Sequence, residues 1–145
     1  MDASSNFQDS LPVSSDKLMT KLDEWKIYYI CHNHIPLKTV TDSKRIQSQF
    51  LGPKSGGGHI KNLYLRDKKK CNILLVAEQD QVIDLNLLKE KLGTGRLSFG
   101  SEARLLENLG VRPGAVSPFA MITGVKRDVR LFFDKKLRKC VRIYA

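Results

Sequence analysis

Residues 72–77 read Asn-Ile-Leu-Leu-Val-Ala, a run of strand length that is apolar at every position after the first. A strand with one wet face alternates; one without alternation is covered on both faces. The preceding stretch does alternate. Ile60, Asn62, Tyr64 and Arg66 fall on one face, and Lys61, Leu63 and Leu65 on the other. Between the two runs, Asp67 to Lys70 is a charged turn. Together they predict a β-hairpin with a basic tip, whose second strand is central in a sheet with layers packed above and below it.

The covering layers come from helices. Ser14 or Ser15 can cap a first helix, with Asp16 in its first turn and Leu18, Leu22 and Trp25 on one face. Thr41-Asp42-Ser43 can cap a second, carrying Ile46 and Phe50 and stopped by Gly52-Pro53. Asp84 caps a third, with Leu85, Leu88 and Leu92 on one side and Gly93 at its end. Ser101 caps a fourth, from Glu102 to Leu109, ended by Gly110. Further strands are expected at Ile27–Cys31, ended by Pro36, and at Arg96–Phe99. Phe119–Ile122 is expected to pair with Val129–Phe133 through the Gly124 region, and Val141–Tyr144 is one more strand. Helices and strands mix without a βαβ rhythm, so the fold class is α+β with a mixed, largely antiparallel sheet.

A chain of 145 residues suits one domain with a real core. Residues 1–13 read as a disordered polar tail and residues 14–145 as the domain. The opening MDASSNFQDS lacks the basic and apolar regions of a secretory signal, and no apolar run approaches the roughly 20 residues of a membrane span. Cys31, Cys71 and Cys140 are odd in number and form no CxxC pair, which fits reduced thiols in a cytoplasmic protein. The net charge of +10 attracts polyanions, and basic residues crowd into Arg66–Lys70 and Lys135–Lys139. Nucleic acid is the leading partner class.

Few residues look chemical. His32-x-His34 has no third ligand at metal spacing, so no metal is expected. Lys54 to His59, with three successive glycines, reads as a flexible loop that lets a ligand come close, yet it lacks the GK[ST] ending of a nucleotide loop. Lys61 either snorkels to water or turns its ammonium into a pocket. Residues 110–118, GVRPGAVSP, are stiffened by Pro113 and Pro118 and opened by Gly114. Such a loop can hold a carbonyl on main-chain amides as an oxyanion hole does, or it can be a rigid corner between two elements.

Three segments in order carry a resemblance: Lys61-Asn62-Leu63-Tyr64-Leu65-Arg66-Asp67, then Arg96-Leu97-Ser98-Phe99-Gly100-Ser101-Glu102, then Gly110 to Phe119. Over about residues 14–137 the chain resembles the YbaK-like aminoacyl-tRNA deacylases. It looks most like the free-standing group related to the editing insertion of prolyl-tRNA synthetase. The resemblance implies an α+β fold and hydrolysis, in trans and without cofactor, of the ester joining a wrong amino acid to tRNA, alanine on proline tRNA in the most similar group. It implies mischarged tRNA as partner, with prolyl-tRNA synthetase as a further one. It places a phosphate-binding lysine at Lys61 and a carbonyl-positioning loop at Gly114, Ala115, Val116, Ser117 and Pro118. Phe50, Leu97 and Phe99 are candidate walls of a small amino-acid pocket. The family's C-terminal histidine-proline segment has no counterpart after His59 in this sequence. A second reading is therefore a tRNA- or synthetase-binding module impaired in catalysis.

Overall fold

The computed structural model describes residues 12–34 and 40–145. The hairpin forms as the alternation predicts. Strand β1, Gly57–Asp67, runs antiparallel to β2, Asn72–Glu78, with Ile60 opposite Glu78 and Arg66 opposite Asn72. Its tip turns tightly because the Asp67 carboxylate accepts the Cys71 N–H at 2.9 Å and Lys70 adopts a φ of +68°. Three shorter strands complete the sheet: β3, Leu97–Phe99, β4, Arg130–Phe133, and β5, Arg142–Tyr144. The order is β3-β1-β2-β4, with β5 beside the start of β1. β4 lies parallel to β2, β3 antiparallel to the end of β1, and β5 parallel to Gly57–His59. This is the expected α+β fold with a mixed sheet.

β2 is central and covered on both faces. Leu74 and Val76 join Tyr64 under helix α4, Glu102–Leu109, whose Leu105 and Leu109 close that core with Ala120, Val129 and Leu137. Ile73 and Leu75 join Leu65 and Leu97 on the other face, under Leu85, Leu88 and Leu92 of α3, Leu85–Leu92. Each fully buried leucine or isoleucine here contributes about 1.5–3 kcal/mol over an exposed one. The helix ends follow the sequence signals. Ser14 caps α1, Ser15–Glu24, while Asp84 and Ser101 cap α3 and α4, each by accepting a first-turn N–H. Helix α2, Val40–Gln47, starts ahead of the expected Thr41 cap and ends before Phe50.

Three expectations are corrected. Residues 27–31 form no strand: Lys26 takes a φ of +57°, the Ile27 N–H bonds back to Leu22 O, and Tyr28 is 87% exposed. β-branched and aromatic residues favour a strand only where a neighbour pairs with it. Pro36, expected to end that strand, and residues 1–11 of the expected tail lie outside the described residues.

Residues 119–122 are helical, not extended. Pro118 at the first position and the Ser117 hydroxyl, which accepts the Phe119 N–H, start a 3-10 turn that runs into α5, Met121–Gly124. β4 accordingly pairs with β2 and not with this segment. The third correction concerns the glycine loop, which is strand from Gly57 onward. A Cβ on Gly57 would sit 1.7 Å from Leu51 O, and one on Gly58 2.8 Å from Cys140 Sγ. These glycines admit the chain itself rather than a ligand.

Phe50 and β5 meet in a row of rings: His32 edge-on to Phe50, Phe50 tilted on Tyr144, and Tyr144 stacked on buried His59, each pair 4.8 Å apart. The backbone of Leu51 is held from both sides, its N–H by the Tyr144 hydroxyl at 3.1 Å and its carbonyl by His59 Nε2 at 3.0 Å. Tyr144→Phe keeps the rings and removes one acceptor, so it should lower unfolding stability by about 1 kcal/mol, read from the urea midpoint at unchanged m. A loss below a few tenths would mean water serves Leu51 equally well.

Candidate functional site

Lys61 and Asn62 lie in the middle of β1, and consecutive strand residues point to opposite faces. Asn62 shares the face of Ile60 and Tyr64, where it meets the 110–118 loop: its Nδ2 donates to Val116 O at 2.8 Å. Lys61 shares the face of Leu63 and Leu65, and its ammonium donates to Gln81 O. The structure thus turns the expected lysine away from the expected loop, with β1 between them.

The other edge of β1 is open. β5 pairs with Gly57–His59 and β3 with Leu65–Asp67, leaving residues 60–64 without a strand neighbour there among the described residues. The Tyr64 carbonyl accepts the Gly100 N–H from that side, so the backbone groups of Asn62, two residues back, face the same open edge.

The loop itself is fixed at several points. Gly114 has a φ of +87°, in the region that a Cβ disfavours. Ala115 N–H closes a turn onto Arg112 O at 3.0 Å, and Ser117 caps the following turn through its hydroxyl. Val116 packs its side chain on the core while Asn62 holds its carbonyl. Pro118 has no N–H to give. The amides of Gly114, Val116 and Ser117 have no partner among the described residues. Beside Ala115 and Ser117 lies a cleft of about 100 Å³, walled by Leu18, Leu109, Val111 and Phe119.

Phe50, Leu97 and Phe99 do not line one pocket. Phe50 lies against Tyr144, which pairs with His59, whereas Leu97 pairs with Asp67, some 26 Å farther along β1 at about 3.3 Å per residue. Leu97 is buried in the second core, and Phe99 is 65% exposed. Tyr64 is an anchor rather than a base. Its hydroxyl donates to Asn72 Oδ1 at 2.7 Å and accepts from Asn108 Nδ2 at 3.2 Å, and burial pushes its pKa up. Two residues were missed in the sequence. Gln81, which receives Lys61, carried no signal. Asn62 did: it is the polar residue between Ile60 and Tyr64 on a core-facing side, and its Oδ1 is buried without a partner among the described residues.

A family model, the aminoacyl-tRNA editing domain, matches residues 37–145. The chain belongs to the aminoacyl-tRNA editing domain family. It is also 39% identical over 130 residues to the prolyl-tRNA editing protein ProX of Acetoanaerobium sticklandii, covering 88% of this chain and 76% of that one. A prolyl-tRNA synthetase associated domain-containing protein 1 of Xenopus laevis is 37% identical over 121 residues, 81% of this chain and 68% of its own. The putative human protein of that name is 46% identical over 81 residues, 54% of this chain and 47% of its own. As a member of the editing family, the chain is an aminoacyl-tRNA deacylase, a hydrolase whose substrate is mischarged tRNA and whose work serves translation fidelity.

Proposed function

We propose that this chain releases alanine from proline tRNA in trans, in the cytoplasm and beside prolyl-tRNA synthetase, with Lys61 on an RNA phosphate and the 114–118 loop on the ester carbonyl. The observation that carries this reading is the Asn62 brace, which fixes a loop of unpaired amides against the strand bearing Lys61. The open edge at residues 60–64 is where one RNA end passes from the Lys61 face to the loop face.

An aminoacyl ester is already activated, so positioning and charge stabilisation carry the reaction. Water adds to the carbonyl carbon, oriented by the vicinal ribose hydroxyl. The bond from that carbon to the ribose oxygen breaks, and the water's proton ends on the ribose, leaving free alanine and tRNA. The amides of Gly114, Val116 and Ser117 are the donors for the oxygen on which negative charge develops, a role in which one donor is worth about 100- to 1000-fold in kcat. The cleft beside Ala115 takes the alanine methyl, and the proline ring is rejected by overlap with its walls.

The test is deacylation of alanyl-tRNA specific for proline against correctly charged prolyl-tRNA. Alanine should leave well above the spontaneous rate while proline stays. Equal release of both would remove the size sieve. Release of neither, from protein with a cooperative unfolding transition, would replace the deacylation reading with binding alone.

A further inference from the structure

Lys61 does not reach Gln81 alone. Lys136, on the basic 3-10 turn Lys135–Lys139 between β4 and β5, donates from its ammonium to Gln81 Oε1, while Lys61 donates to the same residue's main-chain carbonyl. Two cations from distant parts of the sequence therefore converge on one neutral residue, which supplies a main-chain and a side-chain oxygen and no charge. The acids nearest in sequence bond to backbone: Glu78 accepts the Asp80 N–H, and Asp134 accepts the Lys136 N–H through Oδ1, its buried Oδ2 having no partner among the described residues. Neither lysine forms an ion pair among the described residues. A neutral glutamine gives two ammonium groups no countercharge, whereas an anion with several oxygens gives both one.

We propose that Lys61 and Lys136 form a two-lysine phosphate clamp for the 3′ end of RNA, with the Gln81 oxygens holding both arms until a phosphate replaces them. This rests on the functional reading above for the identity of the RNA, but not on turnover. Lys135, Arg138 and Lys139 on the same turn extend the positive field along the approaching backbone. Lys136 is then a binding residue for the substrate's backbone and takes no part in the bond that breaks.

The experiment is binding of uncharged proline tRNA to the whole chain, over a series of salt concentrations, for wild type, Lys136→Gln and Lys136→Arg. It is repeated with tRNA trimmed of its CCA end. On intact tRNA, Lys136→Gln should raise Kd about 5- to 10-fold and lower the logarithmic salt slope by about 0.7–1, the share of one phosphate. Lys136→Arg should restore most of the affinity. On trimmed tRNA, wild type and Lys136→Gln should bind alike. Unchanged Kd and slope on intact tRNA would overturn the clamp. So would an equal loss on intact and trimmed tRNA, because Lys136 would then add only diffuse attraction. A wild-type chain that shows the CCA-dependent Lys136 effect yet releases no alanine would keep the clamp and sink the deacylation reading.

Discussion

Replacing Lys61 with alanine should lower kcat/KM for alanyl-tRNA deacylation by about 100-fold while leaving the protein folded. The size follows from removing one charge-assisted hydrogen bond to a phosphate, about 2–3 kcal/mol, at 1.36 kcal/mol per tenfold. The fold should survive because Lys61 is half-buried and its neighbours Leu63 and Leu65 do the packing on that face. Its bond to Gln81 O adds to stability at the level of a single hydrogen bond, about 1 kcal/mol. Thermal unfolding of both proteins, beside steady-state kinetics at two salt concentrations, separates the effects. A phosphate role predicts a loss in kcat/KM that shrinks as salt rises, since salt weakens what the wild type gains. Full activity in the alanine variant would take Lys61 out of the site. The result matters because Lys61 and the loop lie on opposite faces of β1, and only a substrate that crosses the open edge uses both.

What the sequence made legible was local. The hairpin, the centrality of β2 and the caps at Ser14, Asp84 and Ser101 are signals contained within a dozen residues, and each matched. Pairing between distant segments was not legible. β4 joins β2 and β5 joins β1, both in parallel, and neither partner is marked in the sequence of the other. The same lack of a partner signal made Ile27–Cys31 and Phe119–Ile122 look like strands. In the second case Ser117 and Pro118 had already written a helix start. At the site, the Gly and Pro residues announced a turning loop, and Gly114 takes a positive φ there while Pro118 opens a 3-10 turn. Their chemistry could not announce that Asn62 would brace it, or that Lys61 and Lys136 would converge on Gln81, because both depend on which face each strand residue takes and on what packs there. Phe50, Leu97 and Phe99 misled for a related reason. Large apolar residues serve cores and pockets alike, and only position tells them apart.

Gly114→Ala should lower kcat by about 100-fold or more with a smaller change in KM, the loss expected when a donor to the developing oxyanion moves out of place. At a φ of +87° a Cβ is strained, and the strain, about 1–2 kcal/mol, is relieved by rotating the loop. Under the proposed mechanism, rotation turns the amides of Gly114, Val116 and Ser117 away from the ester carbonyl, and a shift near 1 Å suffices for such a loss. Asn62→Ala reaches the same loop from outside. It frees Val116 O and leaves the amides in place on average, so it should cost about 10-fold in kcat. If both changes act only by disordering one loop, the double variant should be little worse than Gly114→Ala alone, a clear departure from additivity. Additive losses would mean that Asn62 touches the substrate itself, through the Oδ1 that has no partner among the described residues. Unfolding midpoints within a few degrees of wild type would keep either outcome a statement about the loop, since each kcal/mol of global destabilisation shifts Tm by about 2–5 °C at this chain length. A Gly114→Ala protein with wild-type kcat would remove the loop from catalysis and return it to the plainer role of a rigid corner between α4 and α5.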